Sequence, residues 1–225
     1  SIYGFGFFFA RTAGDNTVKT IVYIDGFNLY HAINGLGKNH LKWLNLWALS
    51  EAFLKPQDSL EAVNYFSAYA EWLPSASSRH RKYVKALECV GVTKHISHFK
   101  TKTKACKQCG TSWDSHEEKE TDVKIALQML EDASKNSFDK AILISADSDM
   151  VPVIKTVKRL FPEKNIMLAI PPRRFGIARD LRNVTDGSFE IRQGKIAKSL
   201  FPGEIKDANG VVLVSRPREY TPPHT

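Results

Sequence analysis

AILISADSDM, residues 141–150, joins an apolar run to two aspartates that stand one residue apart. Its first half is typical of a strand buried on both faces, as in a parallel sheet. The following segment, MVPVIKTVKRLF at residues 150–161, has helical periodicity, so one aspartate is expected to cap that helix. A second carboxylate adds repulsion and calls for its own explanation, which a bound cation would supply.

Short apolar runs alternate with amphipathic segments along the rest of the chain. The predicted strands are residues 21–24, 63–70, 95–99, 141–145 and 165–170. One helix is expected to begin at a cap on Ser77 or Ser78 and to stop near Gly91. The helices that follow are expected to bury two apolar sets, namely Val123, Ala126, Leu127, Leu130 and Ala133, then Ile154, Val157 and Leu160. This alternation predicts an α/β fold with a parallel sheet covered by helices on both faces.

The expected domain covers residues 19–192. Residues 1–18 form an N-terminal extension whose start, SIYGFGFFFA, lacks the basic region of a signal peptide and is read as an added strand or an extension. Residues 100–120 form a polar insert, and residues 193–225 are expected to be a loosely attached tail.

The composition is that of a globular protein with a basic surface. Hydrophobic residues make up 43% and charged residues 25% of 225 residues, and 32 Lys and Arg exceed 24 Asp and Glu, a formal net charge of +8. The excess favours a polyanionic partner. Three cysteines without a small-scaffold spacing indicate a reducing, cytoplasmic location. No apolar run approaches the roughly 20 residues of a membrane span, so no membrane partner is expected.

Four aspartates are expected at one edge of the sheet. Asp25 follows one predicted strand, Asp147 and Asp149 follow another, and Asp122 precedes a helix. Ligand sites of open parallel sheets lie at the carboxyl ends of the strands, and clustered carboxylates suit Mg²⁺ or Mn²⁺. Structural roles are also open: a turn at Asp25, a helix-dipole position for Asp122 and a helix cap for Asp149. Asp147 is expected to point into the site, and Asp149 to divide its oxygens between cap and site.

Three segments together resemble a known family. VYIDGFNLY, EEKETDVKIALQMLEDA and LISADSDMVPVIKTVK, in this order, are similar to the NYN family of PIN-like nucleases, close to its LabA-like branch. The resemblance spans residues 19–192. It implies a Rossmann-like, three-layer PIN-like domain with a mostly parallel central sheet, and a Mg²⁺- or Mn²⁺-dependent ribonuclease (a hydrolase) that cuts RNA internally. The residues that match the family's catalytic motif are Asp25, Asn28, Asp122, Asp147 and Asp149.

Basic residues are expected to follow the RNA backbone, which they would bind without sequence choice. They are Arg79, Arg81, Lys82 and Lys85 on one helix, and Arg173, Arg174, Arg179 and Arg182 after the last strand. The oligomeric state, a homo-oligomer included, is left open.

The polar insert contains CKQCG, residues 106–110, the knuckle shape of a zinc ribbon. A structural zinc needs four ligands, so Zn²⁺ at Cys106 and Cys109 requires completion by His116, His98, His95 or Cys89. The alternative is a flexible loop with reduced thiols. Trp113 beside it is open to base stacking or to packing.

Other functions share parts of this pattern. A non-catalytic RNA-binding or regulatory module would keep the acidic pocket. A D-x-D phosphatase of the haloacid dehalogenase type would normally carry its motif after the first strand, whereas here it comes late. A sugar-nucleotide transferase with a D-x-D metal site is the third alternative.

Overall fold

The structure, a computed structural model, describes residues 17–223, so the segment SIYGFGFFFA lies outside the described residues. The strands are Val18–Asp25 (β1), Asp58–Ala68 (β2), Thr93–Ala105 (β3), Ser112–Lys119 (β4), Lys140–Ile144 (β5), Asn165–Ile170 (β6), Gly187–Glu190 (β7), Glu204–Lys206 (β8) and Val212–Ser215 (β9). The α-helices are Gly26–Asn34 (α1), Leu46–Glu51 (α2), Pro74–Glu88 (α3), Thr121–Ser134 (α4), Val151–Leu160 (α5), Arg179–Arg182 (α6) and Gln193–Lys198 (α7). Single 3₁₀ turns occur at Asn39–Lys42, Ser148–Met150 and Arg218–Tyr220.

Seven strands form one sheet in the order β4-β3-β2-β1-β5-β6-β7, and β8 pairs with β9 separately. All neighbours in the large sheet are parallel except β3 and β4, which are antiparallel. The predicted α/β class with a mostly parallel central sheet is therefore confirmed.

The central strands have continuous apolar runs, Ile21 to Ile24 in β1 and Ala141 to Ile144 in β5, because each face of the sheet packs against its own helices. In β1, Val22 and Ile24 belong to the cluster that contains α1, α2 and α3 side chains, whereas Ile21 and Tyr23 belong to the cluster with α4 and α5. This alternation follows from the two-residue period of a strand. The sheet and the helices on its two faces thus form three layers. The carboxyl ends of β1 and β5 lie side by side because the two strands are neighbours, with Ile24 paired to Ile144.

Two predicted helix faces are wrong in detail. Helix α4 buries Ile125, Met129 and Ala133, whereas Val123 and Leu127 are 58% and 61% exposed. Two apolar stripes overlap on this helix, and the pattern alone does not say which one packs on the sheet. In α5, Val153 is buried with Ile154 and Val157, and Leu160 is exposed.

Helix α3 begins earlier than predicted. It starts at Pro74, a residue that suits a first helical position, and Ser77 is a buried helical residue rather than a cap. The helix ends at Glu88, and Gly91 follows with a positive φ of 87°.

The polar insert is mostly an antiparallel hairpin, not a flexible loop. Strands β3 and β4 pair from His98↔Lys119 to Ala105↔Ser112, and Cys106 N donates to Thr111 O at the tip (2.8 Å). Cross-strand ion pairs such as Lys102–Glu117 explain how so polar a segment forms strands.

The expected loose tail is also wrong, because the segment after α7 packs on the core. Phe201, Val214 and Tyr220 are buried, and Trp43 Nε1 donates to Pro202 O (2.8 Å). No helix within residues 17–223 has the length and apolar character needed to cross a bilayer.

Candidate metal centre

Three carboxylates from separate elements meet at the carboxyl edge of the sheet. Asp25 ends β1, Asp122 lies in the first turn of α4, and Asp147 follows β5. One oxygen from each lies within 4.8 Å of the others. Adjacent parallel strands explain the meeting of Asp25 and Asp147, and the start of α4 adds Asp122.

Ser145 connects two of these acids. Its Oγ donates to Asp25 Oδ2 (2.9 Å) and accepts from Asp147 N (3.0 Å). Its side chain is fully buried. The loop after β5 is thereby held against the end of β1.

The predicted polar residue Asn28 fixes the same loop from the other side. Its side-chain Oδ1 accepts from Ala146 N (3.1 Å), and its backbone N donates to Asp25 Oδ1 (2.9 Å), so that Asp25 caps α1. Gly26 completes this junction, because a Cβ there would lie 2.6 Å from Phe66 O. Asn28 thus orients backbone and acid.

The acids repel one another and are partly removed from water. Burial raises the pKa of Asp25 to about 6, against the hydrogen bonds from Asn28 and Ser145, which lower it. Burial first, and then the charges of Asp25 and Asp147, raise the pKa of Asp122 to about 6. Protons or a cation are therefore favoured at this site.

The prediction that Asp149, rather than Asp147, is the capping residue is wrong. Asp147 Oδ1 accepts from Asp149 N (3.0 Å) and caps the 3₁₀ turn, while α5 begins without a side-chain cap. Asp149 is exposed and outside the group of three close carboxylates, although its charge contributes to the raised pKa of Asp122.

Sequence reasoning did not select Glu118 as a site residue. This residue of β4 accepts from Thr121 N (3.2 Å) and from Thr121 Oγ1, and its charge raises the pKa of Asp25 and Asp122. The sequence of this polar segment does not show that it folds into a hairpin, so it does not place Glu118 near the acids. Ser145 stood inside the motif, but its part as a connector needs the three-dimensional contacts.

Cys106 and Cys109 lie at the hairpin tip. Hydrogen bonding with Thr111 and with Cys106 lowers the pKa of the Cys109 thiol to about 7. Within residues 17–223, no His, Cys or carboxylate joins the pair as a third metal ligand. Two of the four expected completions stack on other rings: His116 stacks on Trp72, and His95 stacks on Phe66. Zinc at this pair stays a prediction.

The predicted basic residues lie on segments that follow the two strands next to β1 and β5. Arg79, Arg81, Lys82 and Lys85 lie on α3, which follows β2, and Arg173 and Arg174 follow β6. Since β2 and β6 lie next to β1 and β5, respectively, both sets start from the same edge of the sheet. Two of these cations have carboxylate partners, Arg79 with Glu219 (3.1 Å) and Arg81 with Glu71.

Comparisons with known proteins bear on the fold and on the family. A solved structure of a protein of unknown function from Vibrio parahaemolyticus matches with a TM-score of 0.53 and 19% identity, covering 81% of this chain and 98% of that one. At that identity it supports the fold alone.

A curated relative from Pseudomonas putida, 6-hydroxy-3-succinoylpyridine 3-monooxygenase HspA, is 24% identical over 184 residues. The alignment covers 66% of this chain and 58% of the relative. The NYN domain model matches residues 19–192, which include Asp25, Asn28, Asp122, Asp147 and Asp149. The chain therefore belongs to the NYN domain family.

Proposed function

We propose that the chain is a metal-dependent endoribonuclease of the cytoplasm, which hydrolyses phosphodiester bonds of RNA. The observation that carries the proposal is the meeting of Asp25, Asp122 and Asp147 within 4.8 Å at the carboxyl edge of the sheet. Family membership supports it, because the NYN family is counted among PIN-like nucleases.

The donor set fits a hard divalent cation. Oxygen ligands from a few carboxylates suit Mg²⁺ or Mn²⁺, and Asp25, Asp122 and Asp147 would hold it. The pKa of about 6 at Asp25 and at Asp122 reflects negative charge with little water to offset it, which a cation would relieve. Once bound, the cation would supply a water molecule of lowered pKa and positive charge opposite the phosphate.

The chain's own residues position the acids and the substrate. Ser145 and Asn28 keep Asp25 and the loop after β5 in one arrangement. The cations on α3 and after β6 would attract the RNA backbone on both sides of the acids, which adds affinity that depends on salt. Glu118 and Asp149 lie at the border of the site, where they add negative charge.

A second candidate is oxidation of a small heteroaromatic ring. The Pseudomonas putida relative is named as a monooxygenase of a pyridine compound, and this chain spans 58% of that protein. The specific observation in favour is a cavity of about 550 Å³, lined largely by aromatic and aliphatic side chains, next to the acids. A non-catalytic RNA-binding module is a further candidate.

Incubation with a circular single-stranded RNA separates these candidates, because of the three only an endoribonuclease would open the circle. With Mg²⁺ or Mn²⁺ the chain should open the circle, and EDTA or the substitution Asp122→Asn should prevent it. Binding of the circle without opening under every metal condition would support the RNA-binding module instead. Oxygen consumption with a hydroxypyridine and a reductant, without any RNA cleavage, would favour the oxidation candidate.

A further inference from the structure

A cavity beside the acids has no role in the candidate metal centre. It has a volume of about 550 Å³ and lies between α1, α3 and the β3–β4 hairpin. This volume falls within the range of roughly 300–1,000 Å³ that is usual for small-ligand sites. It is therefore large enough for one unit of a polymer to enter.

The cavity lies next to the candidate metal centre. Gly26, which lines it, directly follows Asp25, and Glu118, which also lines it, bonds to the first residue of α4 beside Asp122. The sheet order gives the same result, because the cavity lies at the ends of β2 and β3 and the acids at the ends of β1 and β5. A nucleotide whose phosphate lies at the acids would have this cavity as its neighbour.

The walls offer flat aromatic faces. Trp72 and His116 are stacked, with ring centroids 3.8 Å apart and planes inclined by 8°. Phe99 packs edge-on against Trp72 at 4.5 Å and against Phe27 at 5.5 Å. Trp72 and Tyr30 are 39% and 44% exposed, so aromatic surface is left without a protein partner. Faces of this kind stack bases of any sequence.

The inner wall is polar without charge. Tyr65 and Ser67 are buried there, and the hydroxyl of Tyr65 lies 3.0 Å from His80 Nε2. Burial lowers the pKa of His80 to about 4, so this imidazole is neutral near pH 7. Neutral donors and acceptors of this kind suit the hydrogen-bonding edge of a nucleobase.

Cations lie among the same lining residues. Lys42 Nζ is 5.2 Å from the centroid of the Tyr30 ring, and the partly exposed Arg79 lines the cavity as well. The charged lining residues are thus Lys42, Arg79, which also pairs with Glu219, and Glu118 on the side of the acids. A neutral inner wall with cations at its border fits a neutral ring that is attached to a phosphate.

We propose that this cavity receives the unpaired base of the nucleotide beside the scissile phosphate, stacked against the Trp72–His116 pair. The proposal rests on the proposed ribonuclease function, and it narrows the substrate to RNA with a single-stranded nucleotide at the cut. A base held in a duplex could not enter, whereas a looped-out or single-stranded base could.

The test is binding of a single-stranded RNA that contains 2-aminopurine, measured by fluorescence in EDTA so that no metal-dependent cleavage occurs. Trp72→Ala should weaken RNA binding by about tenfold or more. It should also remove the quenching of 2-aminopurine fluorescence that stacking on the aromatic rings would cause. The matched control is Trp113→Ala, since Trp113 is a tryptophan of the β3–β4 hairpin that is exposed and does not line the cavity. Trp72→Phe, which keeps an aromatic face, should recover part of the affinity and guards against a folding defect.

The second part of the test uses an abasic oligonucleotide of the same length, in which every base is absent. It should bind the parent and Trp72→Ala equally, because only backbone contacts remain. Equal quenching by the parent and Trp72→Ala, or equally tight binding of the abasic and normal RNA, would overturn the proposal. Free adenosine that binds as tightly as the RNA would also overturn it, in favour of a nucleoside site.

The two proposals fail in different ways. Metal-dependent cleavage that is unchanged in Trp72→Ala and on an abasic substrate would reject the base pocket and leave the ribonuclease. Quenching that depends on Trp72, in a chain that cuts no RNA with any divalent cation, would reject the ribonuclease and support the pocket.

Discussion

Ser145 Oγ lies 2.9 Å from Asp25 Oδ2 and donates a hydrogen bond to it, across two neighbouring strand ends. The same oxygen accepts from Asp147 N, so one buried hydroxyl sets the relative position of two acids. The geometry of the candidate metal centre therefore depends on a residue that is not itself a carboxylate.

Ser145→Ala should impair both stability and metal binding. It leaves Asp147 N without its partner and removes a hydrogen bond that lowers the pKa of Asp25. We expect a loss of about 1–3 kcal/mol in the free energy of unfolding and of about 10- to 100-fold in metal affinity. Chemical denaturation and a metal titration measure the two effects. Ser148→Ala, at an exposed position of the same loop, is the control and should change neither.

Asp147 should contribute to stability through its cap, while Asp149 should not. Asp147→Ala removes the acceptor for Asp149 N and should cost about 1 kcal/mol, whereas Asp147→Asn keeps an acceptor and should cost less. Relief of acid repulsion reduces the loss in both variants. Melting temperatures of Asp147→Ala, Asp147→Asn and Asp149→Ala test this order. A lowered melting temperature in Asp149→Ala alone would show that Asp149, and not Asp147, is the capping residue.

The metal-free protein should become less stable as the pH rises through about 6. Asp25 and Asp122 have a folded pKa of about 6 against an ordinary value of 3.8, so the folded chain binds more protons between these limits. Its free energy of unfolding then falls as the pH rises across this window. Melting temperatures in EDTA, compared at about pH 5 and pH 7.5, should show the decrease, and Asp122→Asn should reduce it.

Added Mg²⁺ should raise the melting temperature at the higher pH and have a smaller effect at the lower pH, because protons compete for the same oxygens. An equal effect of Mg²⁺ at both values would contradict the assignment of the cation to these acids.

RNA affinity should depend strongly on salt through residues on both sides of the acids. Lys82→Ala and Arg174→Ala should each lower the slope of log affinity against log salt by about 0.7 for each phosphate contact that is lost. Lys55→Ala is a suitable control, because this exposed lysine precedes β2 at the opposite edge of the sheet. Slopes that are identical in all three variants would exclude α3 and the segment after β6 from the RNA surface.

Two central strands and the approach of two acids could be predicted from the sequence for a physical reason. Buried parallel strands are apolar throughout, so residues 141–145 and 165–170 gave β5 and β6 almost to the residue. The carboxyl ends of such strands converge, which is why Asp25 and Asp147 could be expected near each other.

What the sequence could not predict depends on direction and on distant contacts. Helix α4 carries two apolar stripes, and only packing selects Ile125 and Met129 over Val123 and Leu127. The β3–β4 hairpin brings Glu118 and His116 to the edge of the sheet, although its composition is that of a polar loop. The tail packs through Phe201, Val214 and Tyr220, whose spacing has no clear period, while the neighbouring Val212 and Leu213 are exposed.

The most direct test of the central claim is a Mn²⁺ titration, followed by the paramagnetic resonance signal of the free ion. The parent should bind Mn²⁺. Asp147→Asn should bind it more weakly by at least about 100-fold, because the loss of a metal ligand lowers affinity more than the loss of a residue that only hydrogen-bonds to a ligand. Asp149→Asn, outside the group of three carboxylates, should stay within about tenfold of the parent. A parent that binds no Mn²⁺ at millimolar concentration, or an Asp147→Asn variant that binds it as tightly as the parent, would contradict the account.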